Sequence, residues 1–249
     1  MKKILIVGGA NGIGLSIAKV LAARESVERV YVVDKAPLAD EHKDAKIESR
    51  QFDLTSADYS ALDRYDDIDG LFITVGFGRL ALFSDIPEAM IQAYFNVNTV
   101  AVIHVIRHFY DRLLSADRDF YCGAMVSIAG FMSSPFFSLY GASKAALKIF
   151  IESVNVELEK AGSTNRILNV SPGHIQGTNF NGGGNDLSLT RSLAEDIISH
   201  LERKDDLFIP QYEEIYKNVL ERYHADFRAE GSNSYDYKIK SGRVGSGAK

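Results

Sequence analysis

Tyr140 and Lys144 stand four residues apart in the run SLYGASKAAL. In a helix that spacing puts both side chains on one face, one turn apart. A phenol beside an ammonium is suited to acid/base work. Free tyrosine titrates near pH ~10, and an adjacent positive charge favours the phenolate and lowers that value. A tyrosine brought nearer to neutrality can exchange a proton with an alcohol or carbonyl oxygen. Such pairs also occur on solvated helix faces, so this one gains meaning only from what surrounds it.

The elements that would position the pair begin at the N-terminus. Lys3 to Val7 (KILIV) is a short apolar run, and GGANGIGLSIAKVLA follows at once. That order predicts a strand, a glycine-rich turn and a helix from about residue 12 to 24. Gly8, Gly12 and Gly14 let the backbone approach a pyrophosphate, which the positive end of the helix would favour. A second apolar run, RVYVV at 29–33, ends in Asp34, twenty residues after Gly14. A carboxylate at that point of a dinucleotide fold accepts hydrogen bonds from the adenosine ribose. It would also repel a 2′-phosphate, and Ala10 and Asn11 offer no cation to hold one. NAD is therefore expected over NADP, with Lys35 as the residue that pulls the other way.

From residue 3 to about residue 178 the chain resembles the short-chain dehydrogenase/reductase family. The family turn T-G-x-x-x-G-x-G is matched by VGGANGIG, with Val7 in place of the threonine. Asp53-Leu54 matches the pair that contacts adenine, and Pro172-Gly173 matches the turn after the sixth strand. The family's N-N-A-G survives only as Ile73-Thr74-Val75-Gly76. These two departures are expected to remove side-chain hydrogen bonds that tie the turn to its neighbouring strands. Asn98 matches the catalytic asparagine, and Ser127 lies thirteen residues before Tyr140, as the active serine does.

The resemblance implies hydride transfer between a nicotinamide cofactor and an alcohol or carbonyl substrate. Tyr140 would move the proton, and Lys144 would hold the nicotinamide ribose and keep the tyrosine pKa low. Ser127 would donate to the substrate oxygen, and Asn98 would hold a water linking Lys144 to solvent. Cofactor contacts are expected from Gly8, Asn11, Gly12, Ile13, Gly14, Asp34, Asp53, Leu54, Val75, Gly76, Tyr140, Lys144, Pro172, Gly173 and Ile175. No metal is expected.

Apolar runs at 3–7, 29–33, 47–52, 70–75, 121–127, 166–171 and 206–209 alternate with helical patterns near 12–24, 56–64, 87–114, 139–161 and 189–203. Such alternation predicts an α/β fold: a Rossmann-type doubly wound parallel sheet with helices on both faces. One dinucleotide-binding domain is expected over 1–240, with a flexible tail over 241–249. The glycine-rich run 182–184 is expected to be a mobile loop, and residues 211–228 an amphipathic helix that packs on the domain or on a partner.

With 46% hydrophobic and 24% charged residues, the 249-residue chain reads as an ordinary globular protein. A net charge of −5 with no basic face argues against a nucleic-acid partner. The single cysteine, Cys122, excludes a disulfide framework. No stretch is expected to approach membrane-spanning length, and a cytoplasmic location is the default.

Pocket residues are expected beyond the carboxyl ends of the strands. These are Phe77 and Arg79, then Phe131, Met132, Phe136 and Phe137, then His174, Gln176 and Phe180; the four apolar side chains between Ser127 and Tyr140 suggest a largely apolar substrate or acyl chain. Apolar positions on 87–114 and 139–161, among them Val100, Ile103, Val105, Ile106, Phe109, Leu147, Ile149, Phe150 and Val154, suggest a homodimer. The alternative to an enzyme is a catalytically idle dinucleotide-binding sensor or scaffold. An epimerase or dehydratase with the same Tyr-Lys pair is a weaker third, because the chain has little room for a separate substrate domain.

Overall fold

A computed structural model describes every residue except 57, 179, 181–184, 243 and 245–249. The strands are β1 (Lys3–Val7), β2 (Arg29–Asp34), β3 (Ile47–Gln51), β4 (Gly70–Ile73), β5 (Tyr121–Met125), β6 (Ile167–Val170) and β7 (Leu207–Phe208). They form one parallel sheet in the order β3-β2-β1-β4-β5-β6-β7. The order reverses between β1 and β4, which opens a crevice at the carboxyl edge of the sheet, where ligands of such folds sit.

Helices α1 (Gly12–Ala22) and α6 (Leu187–Glu202) cover one face. The other is covered by α3 (Ala101–His108), α4 (Tyr110–Leu114) and α5 (Ser138–Lys160), with α2 (Ala89–Phe95) packed against α5. Strand alternation sends Ile4 and Ile6 toward α1 and α6, and Leu5 and Val7 toward α3 and α5. Because both faces are covered there, β1, β2 and β4 read as apolar runs, whereas the edge strand β3, expected to be an apolar run, is IESRQ and mostly exposed.

Residues 56–64 do not form the expected α-helix. Short 3-10 turns occupy Leu54–Ser56 and Tyr59–Tyr65. Asp53 accepts from Thr55 N at 2.9 Å and Asp58 from Ser60 N at 3.1 Å, local bonds that compete with a regular helix.

The stretch Ala89–His108 corrects the expectation about membrane length: by length and composition it could cross a bilayer. Its polar residues Gln92, Asn96, Asn98 and His104 interrupt the apolar pattern in the sequence, although none of them is an acid, lysine or arginine. Here its inward residues Tyr94, Asn98, Val102, Val105 and Ile106 are buried in the protein. A π-turn over Asn96–Val100 joins α2 to α3 and carries Asn98 inward.

Most of the apolar surplus assigned to subunit pairing belongs to the core of the chain itself. Val105, Ile106, Phe109, Leu147 and Val154 are buried, and Ile103 and Phe150 pack partly against them. Val100 and Ile149 remain exposed.

Residues 211–228 form two elements where one helix was expected. A π-turn at Tyr212–Tyr216 leads into α7 (Lys217–Ala225). Asp226 then breaks the chain direction and caps a further helix, α8 (Phe227–Lys240), accepting from Arg228 N and Ala229 N. This last helix escapes sequence reading because Gly231, Ser232, Asn233 and Ser234 are weak helix formers. The run 182–184 and most of the expected tail lie outside the described residues; Val244, within that tail, is buried.

Candidate active site

The glycine turn after β1 is shaped by two positions. Gly8 has φ 91°, open to glycine at little strain. A Cβ on Gly14 would collide with Gly8 O and lie 2.5 Å from Thr74 Oγ1, so α1 can approach the turn this closely only without a side chain there. Thr74 Oγ1 donates to Gly8 O at 2.7 Å. That bond corrects the expected loosening: the threonine in the I-T-V-G run ties β4 to the turn that Val7 cannot tie.

Asp34, the last residue of β2, accepts from Ala10 N and from Ala36 N, both at 2.9 Å. It thus braces the turn with one lone pair on each oxygen and keeps acceptor capacity beyond them. At the first turn of α1, Asn11 makes no side-chain cap. Its Oδ1 instead accepts from Asn185 Nδ2 at 2.9 Å, and Asn185 Oδ1 accepts from Gly12 N at 2.9 Å. Sequence reasoning had no signal for this, since the partners are 173 and 174 residues apart.

One cavity of about 1130 Å³ runs along the carboxyl edge of the sheet. Gly8, Asn11, Gly12, Ile13, Gly14, Asp34, Asp53 and Leu54 line one end, and Val75 and Gly76 its middle. Ser127, Tyr140, Lys144, Pro172, Gly173 and Ile175 line the other end. Asp53 is held ionised by its bonds from Thr55, with a smaller contribution from the nearby charge of Lys35. The shape fits an extended dinucleotide: a Cβ on Gly12 would meet only Thr178, at 3.7 Å, so the floor beside the helix end is open.

At the inner end, Ser127 closes β5 and starts a 3-10 turn, its Oγ accepting from Ala129 N at 3.2 Å and donating to Pro172 O at 3.4 Å. Tyr140 and Lys144 lie on the first turns of α5, both buried, as their spacing predicts. Burial pushes the Tyr140 phenol up to about 12, against a smaller lowering effect from the neighbouring Ser127 hydroxyl. Lys144 Nζ donates to Met125 O at 2.8 Å and lies 5.9 Å from the Tyr140 ring centroid. Burial pulls the lysine down to about 7. The expectation of a tyrosine lowered by its lysine is therefore not met by these side chains alone. Desolvation acts against the charged form of each, and it is the larger cause.

Asn98 does not line the cavity. Its Oδ1 accepts from Phe77 N at 2.9 Å, and its Nδ2 donates to Phe77 O at 2.9 Å and to Ser143 Oγ at 3.1 Å. The side chain secures the loop after β4 against α5. Of the expected pocket residues, Phe77, Met132, Phe137, His174 and Phe180 line the cavity, whereas Arg79, Phe131, Phe136 and Gln176 do not. Phe136 is buried in the left-handed region at φ 68° and stacks on Tyr235, with centroids 4.6 Å apart. Residues of the C-terminal helices complete the outer wall, including Tyr216, whose hydroxyl fills the place a Cβ on Gly173 would take.

Comparison with known proteins gives concordant matches. Residues 2–186 match the family described as short chain dehydrogenase. An uncharacterized oxidoreductase of Schizosaccharomyces pombe is 28% identical over 193 residues, 70% of this chain and 74% of its own. A short-chain dehydrogenase/reductase from Burkholderia phymatum, solved with NAD, superposes with a TM-score of 0.75 at 18% identity, covering 92% of this chain and 95% of its own. One from Burkholderia cenocepacia, solved with NADP, gives 0.75 at 21% identity, covering 94% and 99%. At these identities the structural likeness concerns the fold.

Proposed function

The chain belongs to the short-chain dehydrogenase family, an oxidoreductase family, and we propose that it transfers a hydride between NAD and an alcohol or carbonyl carbon, with Tyr140 as the acid/base. The observation that carries this is the convergence of Ser127, Tyr140 and Lys144 at one end of a cavity whose other end holds the glycine turn and Asp34. When bound, the nicotinamide ring would supply or accept the hydride. Tyr140 would give its proton to the substrate oxygen in reduction and take it back in oxidation. Ser127 would donate to that oxygen and stabilise the charge that develops on it. Lys144 would hold the nicotinamide ribose hydroxyls.

NAD rather than NADP is supported by Asp34, whose carboxylate faces the cavity and disfavours a 2′-phosphate. Titration with NADH and NADPH, followed by nicotinamide fluorescence, tests the cofactor, and turnover of a ketone with NADH tests the transfer. Tight NADH binding with weak NADPH binding is expected; binding of neither would overturn the dinucleotide reading, and binding without turnover would favour the idle dinucleotide-binding alternative. In Asp34→Ser the NADH dissociation constant should rise by about 10- to 100-fold, the worth of a hydrogen bond to a charged group, while that of NADPH falls. Unchanged selectivity would remove Asp34 as the selector.

Asn185 enters the same titration. Its carboxamide oxygen takes the Gly12 N–H that a phosphate oxygen would otherwise meet. In Asn185→Ala, NADH should bind about two- to tenfold more tightly, because one competing hydrogen bond is gone. Weaker binding would mean that the amide serves the bound dinucleotide instead.

A further inference from the structure

The C-terminal helix α8 turns an unusual face toward the cavity. Glu230, Asn233, Ser234, Tyr237 and Lys238 all line it. Their spacing of three and four residues places them on one stripe of the helix, about 12 Å long at 1.5 Å per residue. A helix that closes a domain ordinarily turns apolar residues inward. This one lines the cavity with a carboxylate, an amide, a hydroxyl, a phenol and an ammonium, of which Lys238 is buried and Asn233 and Tyr237 are exposed.

The two charged ends of the stripe act as fasteners. Glu230 is held from α7 by Arg222, whose Nε donates to Oε2 at 2.7 Å and Nη2 to Oε1 at 3.1 Å. Lys238 Nζ donates to Ser134 Oγ at 2.6 Å and to Pro135 O at 2.7 Å. These bonds pin α8 against α7 on one side and against the loop before α5 on the other. Between the fasteners, the side chains of Asn233 and Ser234 make no hydrogen bond among the described residues.

Apolar residues that line the same cavity include Met132, Phe137, Phe180, Ile215 and Val219. Near the proton-transfer site the walls are aromatic, with Phe137 and Phe180 flanking the Tyr140 ring at centroid distances of 5.1 and 5.3 Å. Aromatic walls beside Tyr140 favour a ring. An amide and a hydroxyl lining the same cavity would be satisfied by oxygens on the ligand, and would gain nothing from a plain hydrocarbon.

We propose that the substrate is a neutral ring-bearing ketone, or the matching secondary alcohol, that carries hydroxyl or carbonyl oxygens on the edge away from the reacting carbon, and that Asn233 and Ser234 bind those oxygens. This rests on the hydride-transfer reading of the same site. Neutrality follows from the partnered charges at both ends of the stripe.

The test uses this protein, NADH, and three kinds of ketone: alpha-tetralone, its ring-hydroxylated derivatives, and the open-chain ketone 2-octanone. The wild type should favour the hydroxylated tetralones over alpha-tetralone by about tenfold or more in kcat/KM. The double variant Asn233→Leu with Ser234→Ala should lose that preference, its kcat/KM for the hydroxylated tetralones falling to the level of alpha-tetralone. Both positions are at least partly exposed, so the variant is expected to fold, which a thermal melt checks. A wild type without the preference, a variant that keeps it, or turnover of 2-octanone alone would each overturn the proposal. Turnover of none of these ketones by a protein that binds NADH would overturn the substrate class and leave the hydride-transfer reading standing. A protein that binds neither NADH nor NADPH would overturn both.

Discussion

Tyr140→Phe should lower kcat by about 100- to 10,000-fold, the usual contribution of a positioned acid/base, while NADH affinity stays nearly the same. The substitution removes one oxygen and keeps the ring. That ring is 7% exposed and packs between Phe137 and Phe180, so the wall of the cavity is retained. Burial already keeps the phenol protonated, up to about 12, so its hydroxyl is a stored proton donor at neutral pH. Without it a substrate carbonyl would meet Ser127 alone, which can donate a hydrogen bond but is a far weaker proton source. Steady-state turnover on any reducible ketone, paired with NADH titration of the same preparation, gives the result. Normal turnover in the variant would end the assignment of Tyr140. Lost turnover together with lost NADH binding would point to a collapsed site instead.

A second large effect is expected on the pH dependence of stability. Burial lowers Lys144 from an ordinary value of 10.5 to about 7 in the folded protein. Between those two values the unfolded chain holds a proton that the folded protein has released. Unfolding therefore takes up a proton, and stability should rise with pH across that window, by up to ~1.4 kcal/mol per pH unit. Below the folded value both states are charged and the full cost of the buried ammonium is present. Tyr140, raised from 10.0 to about 12, acts in the opposite direction only above pH 10.0. Denaturant unfolding without dinucleotide, at pH values from about 7 to about 9.5, should show the rise in the wild type and its loss in Lys144→Met. An equal slope in both proteins would mean that Lys144 is not desolvated. The variant should also lose turnover, because the cation that the proposed mechanism places at the ribose is gone.

The two experiments touch the same contradiction from opposite sides. A tyrosine and a lysine one helical turn apart suggest mutual assistance, and their spacing alone predicts a lowered phenol. In the folded protein the ammonium lies 5.9 Å from the ring centroid and bonds Met125 O, while both groups are buried. Each charged form is then costly.

Much of the fold was legible because it follows short-range rules. The apolar runs of β1, β2, β4, β5 and β6 and the helices between them announce a parallel sheet covered on both faces. The glycines of the first turn, an acid at the end of β2 and the four-residue step from Tyr140 to Lys144 are spacings along the chain, and the backbone geometry of strand and helix converts them directly into positions. The sequence by itself thus determined the order of the elements, the location of the cavity and the residues at its two ends. Packing between remote segments decided the rest. Thr74 braces Gly8 across 66 residues, and Asn185 occupies the Gly12 N–H across 173. The apolar residues of α3 and α5 that suggested a partner subunit are spent mostly on the sheet. The polar stripe of α8 has meaning only because Arg222, Ser134 and Pro135 aim it at the cavity. Burial and long-range hydrogen bonds depend on where distant segments meet, and no periodicity in one segment records that.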